Sequence, residues 1–246
     1  MLGSSAMQDV AVGGIRVSAF ESPAQCARRI LGDARCGRGG FAVAVNAEKV
    51  ISCLQDSGLR ALVGRATLRY PDGAGVVVAM RLKGQRTARV AGADLWLEIL
   101  RQAGGRRLAV ALIGAAPRVL EATRARLEAE FPLVDIVVAR DGFDGARDAG
   151  AIIEELARTR PEVVFVAMGS PRQEQLIERL RRGYPAAFYL GLGGSFDVYC
   201  GVKRRAPLWM QRHGLEWLFR FLSEPSRAPR EAKRLRFLLL LTARRL

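Results

Sequence analysis

Two stretches of this 246-residue chain end an apolar run in small residues and then offer side chains able to do chemistry. Residues 168–175 read MGSPRQEQ after EVVFVA, and residues 191–197 read GLGGSFD after AAFYL. Small residues such as Gly169 let the backbone approach a ligand closely. Pro171 is expected at a first helical turn, with Arg172 and Gln173 projecting from the strand end. Gln173 both donates and accepts, which suits a sugar hydroxyl or a phosphate oxygen. Asp197 follows the adjacent Gly193 and Gly194, where a carboxylate can accept from a base or a ribose; a plain turn aspartate is the alternative.

A third stretch, RYPDGAGVVVAMRLKG at 69–84, is more pointed. Pro71 reads as opening a helix or turn. By local sequence Asp72 is a helix cap, and beside Gly73 and Gly75 the same carboxylate is a candidate general base. ALIGAAPRVLEA at 111–122 reads as strand, turn and helix, whose free N–H groups could receive a phosphate, although small residues there also serve close packing. No metal site is written in the sequence: it has no D-x-D pair, and its one histidine, His213, reads as a packing residue on a Trp-rich helix. The four cysteines, at 26, 36, 53 and 200, form no C-x-x-C pair. Neither a disulfide framework nor a structural zinc is expected, and a reducing cytoplasm fits best.

These stretches need elements to hold them. Short apolar runs predict strands at 14–20, 40–46, 106–114, 133–139, 162–169 and 186–194. Helical spacing predicts helices from Ser22-Pro23, over 117–131, over 146–159 and over 171–182. The alternation, with strands apolar on both faces, predicts an α/β fold with a mainly parallel sheet covered by helices. Ligands on such sheets lie beyond the carboxyl ends of the strands, where the glycine-rich stretches fall.

Half the chain is hydrophobic, enough for a large core, and the formal net charge of +15 predicts an anionic partner. From Gly201 onward there are twelve Lys and Arg against three Glu, and the β-rich runs stop. This places a boundary between an α/β domain over 1–200 and a basic helical appendage over 201–246. Basic helices carrying Trp, Phe and Leu suit a membrane interface or a lid packed on the domain, and a helix can do both. No signal peptide is visible, and FLLLLTA at 237–243 falls short of the roughly 20 residues a spanning helix needs, so the protein is expected to be neither secreted nor transmembrane.

Taken in order, VNAE, YPDGAGVV, RVAGADL, GSPRQE, GLGGSFDVYCGVKRRAP and GLEWLFRFLSEPSRAPR resemble the WecG/TagA/CpsF family of bacterial glycosyltransferases, from about Asn46 to Arg230. The resemblance implies a Rossmann-like core with a C-terminal appendage engaging the membrane. It implies inverting transfer of a sugar from a UDP-sugar to a polyprenyl-diphosphate-linked saccharide at the cytoplasmic membrane face, for cell-surface polysaccharide or exopolysaccharide; with no metal ligands in the sequence, the transfer is expected to need no metal and no cofactor.

By position, the resemblance makes Asp72 the base and Arg89 the cation facing the diphosphate leaving group. Gln173 falls near the sugar or diphosphate and Asp197 near uracil. Lys203, Arg205, Arg220 and Arg227 fall where acceptor diphosphate or lipid headgroups bind. Where many relatives have Thr-Leu-Asn, this chain has Ala44-Val45-Asn46, which leaves Asn46 as the polar residue of that turn and removes a hydroxyl that could touch the donor. Arg172 replaces the usual Lys, keeping charge with different geometry.

The expected partners are the sugar donor, the lipid-linked acceptor and an anionic membrane surface, and the chain is compatible with a homo-oligomer. A basic, non-enzymatic nucleic-acid module is the rival reading. Against it, aromatic residues are only 7% and are not interleaved with basic ones on a strand platform, as base stacking would need. A nucleotide-sugar oxidoreductase would need G-x-G-x-x-G after the first strand, which GFAVAVNAE does not provide.

Overall fold

A computed structural model of the chain describes residues 9–142, 148–224 and 228–246. In chain order the elements begin with β1 (Asp9–Val12), β2 (Ile15–Ser18), α1 (Pro23–Arg35), β3 (Gly40–Val45), α2 (Ala47–Gln55) and α3 (Ser57–Gly64). Then come β4 (Leu68–Pro71), α4 (Ala74–Leu82), α5 (Gly92–Gln102), β5 (Leu108–Gly114), α6 (Pro117–Glu130) and β6 (Val134–Arg140). The remainder is α7 (Ala149–Thr159), β7 (Val163–Ala167), α8 (Arg172–Gly183), β8 (Phe188–Gly191), α9 (Ser195–Tyr199), α10 (Leu208–Arg212), α11 (Glu216–Ser223) and α12 (Ala228–Thr242).

The architecture is α/β, as the alternation predicts. A six-stranded sheet has the order β4-β3-β8-β7-β5-β6, and the pairings β3 with β8, β8 with β7, β7 with β5 and β5 with β6 are all parallel. The six predicted strands appear as β2, β3, β5, β6, β7 and β8. The start of the helix expected over 146–159 lies outside the described residues, and α7 covers the rest, its N-terminus capped by Asp148. Between Asn46 and Arg106 the structure adds α2, α3, β4, α4 and α5, which the sequence reading left unassigned apart from the turn around Asp72. β1 was also missed; it pairs antiparallel with β2 through Gly13-Gly14.

The chain divides into two compact units, Met1–Pro23, Ala44–Ala91 and Arg205–Leu246 in the first, Ala24–Val43 and Gly92–Arg204 in the second. In the second unit all five residues of β7 are buried, because helices cover both faces of a parallel strand. Leu95, Trp96, Ile99 and Leu100 recur at helical spacing on α5 and are buried. The Trp96 ring packs on Phe165, Phe196 and Tyr199 at centroid distances of 5.8, 5.5 and 5.0 Å. The Tyr199 hydroxyl donates to Glu130, and Arg126 stacks over the same ring at 4.5 Å. Burial and the neighbouring carboxylate push the Tyr199 phenol above its usual range.

In the first unit, Asn46 and Asp56 cap α2 and α3, each side chain accepting a backbone N–H three residues on at 2.9 Å. The C-terminal α12 packs along α2: Lys233 Nζ donates to Ser52 Oγ at 2.8 Å, Arg230 lies 3.6 Å from Glu48, and Phe237 is fully buried. Leu235, Leu238 and Leu239 of the same helix stay exposed. His213, expected to pack, is exposed, with its Nδ1 2.7 Å from the Trp209 carbonyl. A short helix ending in a glycine turn leaves that position no core to enter.

The two environments of tryptophan give a direct test. Trp96→Ala removes a fully buried ring and is expected to cost about 3–5 kcal/mol. Trp209→Ala, at a site 59% exposed, should change stability by less than about 0.5 kcal/mol. Urea unfolding of the two variants measures both.

Candidate functional site

Asp72 is not a helix cap. β4 ends at Pro71, Gly73 occupies the N-cap of α4 with no side-chain capping bond, and Asp72 lies half-buried between them. Pro71 closes a strand instead of opening a helix, since a proline has no N–H to carry the ladder onward. The Asp72 N–H donates to the carbonyl of Val45, the last residue of β3, at 2.9 Å. Asn46 follows Val45, so its turn and the Asp72 turn lie side by side. A Cβ added at Gly73 would stand 3.2 Å from the Asn46 Cβ, so a side chain at 73 would press the two turns apart. Asn46, Asp72 and Gly73 therefore form one cluster, built from two strand ends.

Arg89 completes it from the loop after α4. Its Nε donates to the Asp72 carbonyl at 2.9 Å, its Nη2 pairs with Glu216 Oε2 at 2.9 Å, and its Nη1 reaches the Gln211 carbonyl at 3.4 Å. The next residue, Val90, donates its N–H to the Pro71 carbonyl at 2.8 Å. The Glu216 side chain is 9% exposed and that of Arg89 29%. A carboxylate so enclosed needs a cation, and the planar fork of arginine can serve a carboxylate and two carbonyls at once. Sequence reasoning assigned no role to Glu216. The signal was present, since it is one of only three acidic residues in the basic segment after Gly201.

In the second unit, Gln173 does not project from the strand end. It is 6% exposed, its Oε1 accepts the Gly193 N–H at 2.8 Å, and its Nε2 donates to Glu174 Oε1 at 3.1 Å. A Cβ at Gly191 would collide with the Gln173 amide, so the end of β8 is kept bare to admit that side chain. Gln173 thereby ties the turn holding Gly169 and Pro171, whose Ser170–Pro171 peptide is cis, to the turn holding Gly193 and Gly194. Gly193 has φ of 60°, a conformation that favours glycine. Asp197 sits half-buried on α9, and its carbonyl accepts the Lys203 N–H at 2.9 Å.

Lys203 is exposed in the second unit and Arg205 is half-buried in the first. Arg220 lies on α11, its side chain outside the described residues, and Arg227 lies outside them altogether. At the β5–α6 turn, Gly114 packs closely on Ala167, so close packing accounts for the small residue there. Among the described residues no group of three or more His, Cys, Asp or Glu comes together as a metal-ligand set.

The brace through Gln173 can be measured. Gln173→Ala leaves the half-buried Gly193 N–H without its acceptor and should cost about 1–3 kcal/mol. Gly191→Ala drives a methyl into the same amide and should destabilise comparably, although it deletes no hydrogen-bonding group. Denaturant unfolding of both, beside exposed Arg172→Ala as an unaffected control, checks the pair.

Within the first unit Asp72 stands between a strand end and a helix start, and within the second Gln173 braces two glycine-bearing turns at the ends of β7 and β8. The family model described as "Glycosyl transferase WecG/TagA/CpsF family" matches residues 10–246. That span takes in nearly the whole chain, the C-terminal helices included, and the chain belongs to the WecG/TagA/CpsF family of glycosyl transferases.

Proposed function

We propose that this transferase moves one sugar, with inversion and without a metal, from a UDP-sugar to a polyprenyl-diphosphate-linked saccharide in the assembly of a bacterial exopolysaccharide or other cell-surface polysaccharide. The observation that carries the mechanistic part is the way Asp72 is held. Its N–H is bonded to Val45 and its carbonyl to Arg89, so its carboxylate springs from a backbone fixed on both sides. A general base works only when it is held within reach of the proton it removes.

In this reading the Asp72 carboxylate takes the proton of the acceptor hydroxyl. The freed oxygen lone pair bonds to the anomeric carbon as the bond from that carbon to the diphosphate oxygen breaks, and UDP leaves with that electron pair. Asn46 and Gly73 shape the turn around the base. In the second unit, Gly169, Pro171, Gln173, Gly193 and Gly194 form the two braced turns assigned to the donor, with Asp197 reading the uracil. Arg89, held between the Asp72 carbonyl and Glu216, is the cation assigned to the diphosphate leaving group, and Lys203, Arg205, Arg220 and Arg227 are assigned to the acceptor diphosphate or lipid headgroups.

Contact with an anionic membrane surface on the cytoplasmic side is part of the same reading. It is supported by the basic excess after Gly201 together with exposed Leu208, Trp209, Leu222, Leu235, Leu238 and Leu239. No helix among the described residues is long and apolar enough to cross a membrane.

UDP release from a panel of UDP-sugars, with and without a short-chain polyprenyl-diphosphate saccharide and with lipid vesicles present, tests the reading. Acceptor-dependent release is expected from one donor, falling by about 10²–10⁴-fold in Asp72→Asn. Full turnover in that variant would remove Asp72 as the base. No release from any donor, together with no UDP binding by calorimetry, would remove the UDP-sugar assignment.

A further inference from the structure

We propose that Glu216 is a positioning residue for the Asp72 base: it holds Arg89, Arg89 holds the Asp72 backbone, and the base is therefore set only while residues 208–223 are seated. The catalytic meaning of this rests on the reading of Asp72 given above; the clamp itself rests on geometry. Glu216 lies 127 residues from Arg89 in sequence and pairs with its Nη2 at 2.9 Å. The same guanidinium donates through Nε to the Asp72 carbonyl at 2.9 Å. One rigid planar group thus joins the C-terminal segment to the loop that carries the base.

Two further contacts point the same way. Arg89 Nη1 reaches the Gln211 carbonyl at 3.4 Å, so the end of α10 and the start of α11 both close on one side chain. Gly214, with φ of 71°, lies between them, and a Cβ there would stand 3.1 Å from the Cβ of Ala74, the first residue of α4. The α10–α11 turn therefore rests directly on the helix start that follows Asp72 and Gly73. Withdrawing the segment removes the partners of Arg89 and the cover of α4 together. A guanidinium without its carboxylate is drawn toward water, and its Nε then no longer fixes the Asp72 carbonyl. Glu216 touches no reacting atom; it acts through Arg89.

The test uses the full chain and begins without substrate. Hydrogen–deuterium exchange is compared among wild type, Glu216→Ala, Glu216→Gln and Arg89→Ala. In Glu216→Ala, exchange at Asp72, Val76, Val77 and Val90 is expected to rise at least about tenfold, because local opening governs it, while β7 is unchanged. Glu216→Gln keeps an oxygen for Nη2 and should recover part of the protection; it also carries the comparison if Glu216→Ala does not fold.

In the transfer assay, kcat should fall at least about tenfold in Glu216→Ala with the donor KM little changed. The double variant Arg89→Ala/Glu216→Ala should be no slower than Arg89→Ala alone. Wild-type exchange at residues 72–77 in both Glu216 variants, or losses that multiply in the double variant, would overturn the proposal. If exchange responds as expected but wild type transfers from no UDP-sugar, the clamp stands and the donor assignment fails.

Discussion

The first unit turns on one guanidinium. Arg89 bonds a carbonyl at a strand end, a carbonyl at the end of a short helix and an enclosed carboxylate, three groups drawn from distant parts of the chain. Each charge-assisted bond of this kind contributes about 1.5–3 kcal/mol where water is excluded. The sum here is less, because the Arg89 side chain keeps 29% of its exposure. Lysine could not substitute, since a single ammonium lacks the flat fork that reaches three acceptors in different directions.

The C-terminal segment belongs to the same unit as residues 44–91 through more than that fork. Phe237 buries its ring over Gly75, and Lys233 reaches Ser52 on α2, the helix that Asn46 caps. The segment's outer side keeps its leucines in water. One helix thus packs an aromatic residue inward and leaves an apolar, basic face outward. The lid and the membrane-contact readings are compatible on such a helix, because they draw on opposite faces.

The second unit shows a different economy at its strand ends. Gln173 is the side chain one would expect to meet a ligand, yet its amide joins two turns inside the protein. That amide sets the shape of the two turns. Gly191 is bare so that the amide fits, and Gly193 adopts a backbone that favours glycine while donating its N–H to Gln173. Small residues at these strand ends serve close internal packing: Gly191 admits the Gln173 amide and Gly114 lies against Ala167.

Much of this was determined by sequence alone. Apolar runs such as VVFVA and helical spacing such as Leu176-Ile177-Leu180 depend on neighbours a few residues away, so the parallel α/β core is readable as a one-dimensional pattern. The ordered blocks around Asn46, Asp72, Arg89, Gln173 and Asp197 carry the family in the same way. Four-residue β4 was not readable, because its closing proline carries the signal of a turn. What only the tertiary structure decided were the partners: Glu216 for Arg89, Gly193 for Gln173, Gly75 for Phe237. A charged or amide side chain takes whichever group the folded chain brings within about 3 Å. Local sequence sets which groups are available, and the path of the chain sets which of them meet.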